Sequence, residues 1–492
     1  MGTRRTAIRA ALATIFVVLG PAAPAQAAPH AGGPAATVPW GASVSLKLDA
    51  RPVSDPLATP AGPGFVRLAG AQQHAASGEG LIALTMAAPG TSWSSRRDPA
   101  AVVDVSVDGG APQTIELFYG GRPFTYEGFL GPLVSGPHRV EVSSSSTLSA
   151  ARDAPRVRIM AAQLGVVPAT DPSYLADAYA PFIYGRSTSA RRYIPLLTYV
   201  EQSSNGDGSH TLSYTYVISA HDQGDSIVPA YQWGTWGRMT DIVSIITETV
   251  SPSGAVTSAS YSSCACEGTP YPDRLMSASD STTKPFAGSW LAHHPMLRDA
   301  TATNYLSDQG TTAYRFQQAP VAGPAGGEVR EAVMDAHPWT YQVSNQELPR
   351  EHVISTSPDN ILVGDYRQYA IIDSDIATSG SDSVQVELRL AGDPTWYSTD
   401  YRQMTAQVPS TFAFHDGGHN RTVIKMPADW AARAIDAIRI RLTVTPRNPP
   451  ATAIIHSLHV LEVTPQWTIL DRPIPAPSVY QAPAVFPGPL PF

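Results

Sequence analysis

Short segments in which apolar and polar residues alternate recur along most of this 492-residue chain, and they constrain its fold more than any other feature. Val103 to Val107 has this period of two, and Val384 to Leu390 repeats it almost without exception. Such alternation places apolar side chains on one face of a strand, whereas a helix needs a period of about 3.6 residues. Turn sequences such as Asp108-Gly109-Gly110 separate the segments. The pattern predicts a mainly all-β, multidomain chain of β-sandwiches with few short helices.

The distribution of these segments and of proline-rich stretches divides the chain into six regions. We expect an export signal at 1–27, a disordered leader at 28–40, an N-terminal β-sandwich at 41–168, a central β-rich domain at 172–370, a C-terminal β-sandwich at 371–465 and a Pro-rich tail at 466–492. The length accommodates about two to four domains of roughly 100–200 residues each. In the central domain, Tyr174 to Tyr184 suits either a short helix or an extended segment.

The first 27 residues have the three parts of a secretory signal peptide. Arg4, Arg5 and Arg9 form a basic start, an apolar run extends from Ala10 to Leu19, and Ala25-Gln26-Ala27 is a small-residue cleavage site. The alternative is a transmembrane anchor, but the apolar run is shorter than the roughly 20 residues that a spanning helix needs. We therefore expect a secreted, extracellular protein that has no transmembrane segment after cleavage.

Composition argues against several classes of function. Charged residues make up 15% of the chain, the formal net charge is −8 and no basic block is present, so the sequence predicts no nucleic-acid partner. The sequence also lacks a P-loop, a dinucleotide-binding glycine motif, a G-x-S-x-G motif and an H-E-x-x-H motif. We therefore expect no nucleotide cofactor, and no cofactor is required by any motif.

The two cysteines, Cys264 and Cys266, are separated by one residue. In an oxidising compartment two thiols usually pair, so we expect a disulfide within the chain. Free thiols, metal ligation and a disulfide between chains are the alternatives. Because the loop that such a bond closes is very short, it would shape a local turn and add little stability to the fold.

Polar and aromatic residues cluster in the central domain, next to the ends of the expected strands, where sites on β-scaffolds are commonly built. Glycoside cleavage needs two carboxyl groups, one to protonate the leaving oxygen and one to attack or to activate water. Glu201 and Asp335 are the leading candidates for these roles, and Asp222 and Asp241 come next. The expected substrate-binding residues are Trp233, Trp236, Arg238, His294, His337 and Trp339.

Each of these residues also has a structural interpretation. Asp222 suits the closing of a turn, and Asp241 suits an ion pair with Arg238. For the others, the alternatives are packing of the tryptophans, a surface position for His293-His294, a backbone-orienting role for Asp335 and His337, and an ordinary strand-end position for Glu201. Oxygen ligands suit Ca²⁺, so Asp222, Asp225 and Asp241 would also provide a calcium site, although no spacing matches a specific metal motif.

The order of motifs between about residue 172 and residue 310 resembles that of two β-sandwich families. The residues that carry the resemblance are Leu175 to Pro181, Tyr193 to Pro195, Tyr214 to Asp225, Gly237 to Val243, Tyr261 to Ser263, His294-Pro295 and Asn304-Tyr305. The families are the vacuolar-protein-sorting-associated proteins and the secreted necrosis- and ethylene-inducing-like proteins, which share a G-x-x-x-D-W-E core that binds a divalent cation in the latter. Asp241 matches the core aspartate, but Arg238, Thr240 and Val243 depart from the pattern. The resemblance therefore implies a β-sandwich centre and not the cation site.

Together these features predict a secreted carbohydrate-active enzyme, a glycoside hydrolase that acts on an extracellular polysaccharide or cell-wall glycan through a pair of carboxylates. The first alternative is a non-catalytic secreted protein that binds a glycan or a cell surface, with or without a cation. The second is an extracellular structural or adhesion protein. Turnover of a polysaccharide separates the enzyme from both alternatives.

Overall fold

A computed structural model of the chain shows mainly β-structure, as the alternating segments predict. It describes residues 36–38, 43–48, 58–60, 65–68, 78–95, 97–110, 112–133, 138–144, 157–186, 194–219, 236–261, 274–275, 296–298, 312–316, 320–324, 328–350, 365–379, 383–399, 418–444 and 452–483. Within these ranges, no helix is both long enough and apolar enough to cross a membrane.

The N-terminal region folds into two facing sheets. Its strands are β1 (Ala36–Val38), β2 (Ser43–Leu48), β3 (Ala58–Pro60), β4 (Phe65–Leu68), β5 (Gly78–Ala87), β6 (Val102–Val107), β7 (Gln113–Glu116), β8 (Phe124–Leu133), β9 (His138–Ser144) and β10 (Val157–Pro168). One sheet has the order β1-β10-β5-β8 and the other β3-β4-β2-β9-β6-β7. Apolar side chains from both sheets form a single buried cluster, so this region is a β-sandwich.

The turn between β6 and β7 illustrates how the sequence specifies this sandwich. Asp108 and Gly109 both have positive φ, at 51° and 74°. Two consecutive positive φ values suit the tight turns whose twist matches that of paired strands, and Asp-Gly is a favoured sequence for them. Val103 and Val105 are buried in the core, whereas Asp104 is only half-buried. The predicted hairpin is confirmed, because β6 and β7 pair antiparallel.

The central region contains a six-stranded and a three-stranded sheet and all three α-helices of the described residues. Its elements are α1 (Tyr174–Ala178), β11 (Phe182–Arg186), β12 (Pro195–Ser204), β13 (His210–Ile218), β14 (Asp241–Val250), β15 (Val256–Tyr261), β16 (Arg274–Leu275), β17 (Met296–Arg298), β18 (Thr312–Phe316), β19 (Val321–Ala322), α2 (Ala332–Ala336) and α3 (Trp339–Arg350). The sheet orders are β16-β15-β14-β13-β12-β19 and β17-β11-β18.

The C-terminal region is a second sandwich. Its strands are β20 (Tyr369–Ser379), β21 (Ser383–Leu390), β22 (Trp396–Ser398), β23 (Gly418–Lys425), β24 (Ile435–Val444), β25 (Thr452–Val463), β26 (Ile469–Asp471) and β27 (Ser478–Pro483). The sheets β23-β20-β25-β26 and β22-β21-β24-β27 enclose one apolar core. Two of these strands, β26 and β27, come from the segment whose composition predicts a Pro-rich tail. β27 pairs parallel with β24 at the edge of its sheet, a position that tolerates proline.

The helical segment α2–α3 lies where the three regions meet. Val343 of α3 belongs to the core of the N-terminal sandwich. Val333, Met334 and Tyr341 belong to a different cluster, which also contains apolar side chains of β12, β20 and β23. The segment therefore joins the central sheet to both sandwiches, although the sequence predicted no helix there.

Candidate functional site

Several residues singled out in the sequence lie outside the described residues. They are Asp222, Trp233, His294 and the two cysteines, Cys264 and Cys266. Their predicted roles, including the disulfide, stay predictions. The remaining candidates are Glu201, Asp241 and the clusters around Arg238 and Asp335.

The segment that precedes β14 contacts α2 through its polar side chains. Arg238 is 1% exposed, and its Nε donates to Oε1 of Glu331 at 2.8 Å. Its guanidinium lies 4.9 Å from the ring centroid of Trp236 and also donates to the carbonyl of Thr240. The hydroxyl of Thr240 donates to the sulfur of Met334 at 3.1 Å. Two clusters that are about a hundred positions apart in the sequence are thus brought together.

Asp335 on α2 forms a second buried ion pair, with Arg421 of β23. Nη2 and Nη1 of Arg421 donate to its two carboxylate oxygens at 2.7 and 3.1 Å, and Tyr341 donates its hydroxyl at 2.8 Å. The same Nη2 donates to Asp373 of β20 at 2.6 Å, and His419 lies 2.8 Å from the other oxygen of Asp373. One guanidinium therefore binds carboxylates from two elements of the fold.

The electrostatic environment of Glu331 and Asp335 indicates a structural role for both carboxylates. Burial opposes ionisation of Glu331, but Arg238 and Arg330 outweigh it, so the pKa of Glu331 is lowered. Burial raises the pKa of Asp335, against the opposing effect of Arg421. Breaking such a buried pair leaves an uncompensated charge, which is strongly destabilising. This arrangement supports a role in holding α2 against β23.

The aromatic and histidine candidates of this segment are packed side chains. Trp339 is stacked on Phe118 of the N-terminal sandwich, with centroids 5.7 Å apart and planes 10° apart. It also meets Phe124 edge-on at 4.9 Å. His337 follows α2, and burial lowers the pKa of its imidazole. Substrate contacts by these two residues stay predictions.

The other two carboxylate candidates lie on strands of the central sheet. Glu201 is exposed near the end of β12, opposite Ser213 of β13. Asp241 is the first residue of β14 and is half-buried opposite Ile218. Burial raises the pKa of Tyr199, and the charges of Glu201 and Glu331 contribute to the shift, so both carboxylates lie within electrostatic reach of its hydroxyl. The catalytic roles of Glu201, Asp335 and Asp241 stay predictions.

A different group of acidic side chains lies where α1 packs against the N-terminal sandwich. We call Glu79 of β5, Glu127 of β8 and Asp177 of α1 the acidic triplet. Ile82 and Leu84 of β5 point into the core, and Glu127 is paired opposite the intervening Ala83, so Glu127 lies on the outer face of the sheet. That is the sheet against which α1 packs. Secondary structure thus places three carboxyl groups around one surface.

The acidic triplet contains one accessible and two buried carboxyl groups. Glu79 is fully buried, Asp177 is 9% exposed and Glu127 is exposed. The pKa of Asp177 is raised to about 6, mainly by burial and to a smaller extent by the charges of Asp171, Glu79 and Glu127. Ser173 opposes this effect, since its hydroxyl donates to Asp177 at 3.0 Å. Desolvation also raises the pKa of Glu127.

Glu248 of β14 is a further buried carboxyl group, in the central sheet, and it is 1% exposed. Neither of its carboxylate oxygens has a hydrogen-bond partner in the described part of the chain, and burial raises its pKa well above the ordinary value. Burial raises the pKa of Tyr214, and Glu248 and Asp177 contribute to the shift. The hydroxyl of Tyr214 donates to the carbonyl of Ala176 at 2.8 Å.

The acidic triplet is suited to proton transfer. Carboxyl groups whose pKa values are raised towards neutrality supply general acids, and a neighbouring carboxylate that stays ionised acts as base or nucleophile. Sequence reasoning missed the triplet, because its members lie on two strands and a helix that are far apart in the chain. The available signal was Asp177 itself, an acidic residue between alanines in the short helix-compatible segment.

No set of three or more His, Cys, Asp or Glu side chains in the described ranges is arranged to hold a metal ion. The expected calcium ligands Asp222 and Asp225 lie outside those ranges, so calcium binding stays a prediction.

Comparisons with known proteins give little further information. No protein-family model matches the chain, and no curated protein matches it. Among solved structures, the chain is similar to the crystal structure of a ruminal GH26 endo-β-1,4-mannanase, with 12% identity and a TM-score of 0.18. The match covers 43% of this chain and 34% of the mannanase chain. A TM-score this low carries no argument about fold or function.

Proposed function

We propose that this chain is a secreted carbohydrate-active enzyme, a glycoside hydrolase whose acid/base chemistry takes place at the acidic triplet. The observation that supports the proposal is the pair formed by Asp177, with a pKa of about 6, and Glu127, an accessible carboxyl group that raises that pKa. Glycoside cleavage needs one carboxyl group that is protonated and one that is ionised, and the proposal assigns the first role to Asp177 and the second to Glu127.

The two residues take different roles in this proposal. Ionised Glu127 favours the protonated form of Asp177, because like charges at close range disfavour double ionisation. Asp177 then donates its proton to the leaving glycosidic oxygen, and Glu127 attacks the sugar or activates water. Glu79 adds negative charge that keeps Asp177 protonated. No cofactor takes part, and an extracellular polysaccharide is the substrate.

The test is release of sugars from a panel of plant, fungal and bacterial cell-wall polysaccharides by the mature protein, with Ca²⁺ and with EDTA. We expect release from at least one polysaccharide, and loss of about a hundredfold or more in Asp177→Asn and Glu127→Gln. Asp171→Asn is the matched control, because Asp171 lies six positions away, is exposed and has a lowered pKa.

Other outcomes assign the function differently. Loss of release in Glu201→Gln or Asp335→Asn, with the triplet variants unaffected, would place the site in the central domain as the sequence predicts. Binding without release from any polysaccharide would favour the non-catalytic glycan-binding alternative and would contradict a hydrolase. Release that is abolished by EDTA would show that a cation is required.

A further inference from the structure

The outer face of one C-terminal sheet carries an unusual set of side chains. Val386, Leu388 and Ile440 of β21 and β24 point into the core, so the alternate residues point outward. In the register of this sheet, Arg389 is opposite Trp396, and Arg441 is opposite both Gln385 and Tyr480. Arg439 lies two positions before Arg441 and shares its face. We call Arg389, Arg439 and Arg441, with Trp396 and Tyr480, the arginine face.

Aromatic rings order the guanidinium groups of this face. The guanidinium carbon of Arg439 lies 3.9 Å from the ring centroid of Trp396 and 4.8 Å from that of Tyr480. Arg389 lies 5.3 Å from the same tryptophan centroid. Cation–π contacts at these distances fix the planes of the guanidinium groups. Ordered guanidinium groups lose less conformational freedom when they bind a ligand.

The charges of the face favour an anionic ligand. Glu387 is 2% exposed and accepts a hydrogen bond from Nε of Arg439. It also lies 3.9 Å from Nη1 of Arg441. Asp436 accepts a hydrogen bond from Nε of Arg389 at 3.0 Å. Three arginines against two carboxylates leave a positive face on a chain whose formal net charge is −8. Arg389 and Arg439 bind these carboxylates through Nε, so these bonds do not use their terminal N–H groups.

Two buried polar atoms in this sheet also lack partners. Gln385 is 1% exposed, and its Oε1 accepts no hydrogen bond from the described part of the chain. Nε of Arg441, the residue directly opposite, donates none. Buried polar groups in folded proteins are nearly always hydrogen-bonded, and those that are not call for a ligand or another explanation. These atoms are a second indication, independent of charge, that the face takes a polar ligand.

We propose that the arginine face binds a polysaccharide that carries carboxylates, with uronate groups bound by the terminal N–H groups of Arg389 and Arg439. Guanidinium and carboxylate form bidentate hydrogen bonds, and the planar fork of arginine suits repeated anionic groups along a chain. This site is separate from the acidic triplet and does not depend on the hydrolytic proposal.

The test is affinity electrophoresis and calorimetry of the full chain with polygalacturonate, with neutral galactomannan and single-stranded DNA as comparison ligands. We expect binding to polygalacturonate that weakens with added NaCl, and no comparable binding to galactomannan or DNA. Arg389→Gln and Trp396→Ala should each weaken binding about tenfold or more. Arg389 is a partly exposed surface side chain, so its variant should keep the parent melting temperature.

Trp467→Ala is the matched control, because Trp467 is also half-buried and carries an arginine, Arg367, 5.0 Å from its ring centroid, but it lies outside the arginine face. Unchanged binding in this variant supports the assignment. Absence of polygalacturonate binding, equal binding of DNA, or binding unaffected by Arg389→Gln would overturn it. Sugar release from the polysaccharide panel is measured with the same preparations. Binding of polygalacturonate that depends on Arg389, without release from any polysaccharide, would reject the hydrolase and leave the arginine face supported.

Discussion

Replacing Asp177 by asparagine has a predictable effect on stability that depends on pH. In the native protein, burial raises the pKa of Asp177 to about 6, whereas its ordinary value is 3.8. The native state therefore binds a proton more tightly than the unfolded chain between about pH 4 and pH 6. Its contribution to the free energy of unfolding falls as pH rises through that window. The fall is at most roughly 3 kcal/mol, since one pKa unit corresponds to about 1.36 kcal/mol.

An asparagine at position 177 is neutral at every pH and retains an oxygen that accepts the hydrogen bond from Ser173. We expect Asp177→Asn to be more stable than the parent by about 1–3 kcal/mol at pH 7.5, and no more stable at pH 4. The measurement is urea unfolding, followed by tryptophan fluorescence, at four pH values between 4 and 7.5. The quantity compared is the difference between variant and parent at each pH.

Asp171→Asn is again the control, and its sign is opposite. Hydrogen bonds from Ser173 lower the pKa of exposed Asp171, so its removal should give no gain in stability at pH 7.5. Equal or lower stability of Asp177→Asn at pH 7.5 would refute the reasoning, because it would mean that the native state tolerates the charge. A more stable variant that has lost sugar release would show that the loss is chemical and not due to misfolding.

Three further substitutions test the junction at α2. Arg421→Met should lower the free energy of unfolding by about 3–5 kcal/mol, because Asp335 and Asp373 lose their shared cation. Unchanged urea unfolding would contradict a structural role for these ion pairs. Trp339→Leu should lower the free energy of unfolding by about 2–3 kcal/mol and speed proteolysis near α3, since the Trp339 ring packs on the N-terminal sandwich. An unchanged rate of proteolysis would argue against that contact. Gly237→Ala should lower the melting temperature, because φ is +64° and a Cβ would lie 2.9 Å from Arg421 Cγ; an unchanged value would contradict this geometry.

Local features of the sequence determined most of the secondary structure. The alternating segments at 103–107 and 384–390 are strands, and the glycine turns at 205–208 and 251–254 close the hairpins β12–β13 and β14–β15. These features depend on neighbouring residues only, since side-chain alternation and turn conformation are set over a few positions. The helix α3 was missed, because its residues have no strong helical periodicity and their burial comes from contacts with both sandwiches.

Only the tertiary structure decided which polar residues act together. Arg238 and Glu331 are 93 positions apart, and Arg421 and Asp335 are 86 apart, so no local pattern connects them. The sequence singled out Asp335 as a candidate catalytic carboxylate, but its buried partner, Arg421, comes from a strand of the C-terminal sandwich. Burial, which sets the raised pKa of Asp177, likewise depends on the packing of α1 against β5 and β8. The sequence therefore determined the strands and turns, whereas burial and charge pairing arise only when distant elements pack together.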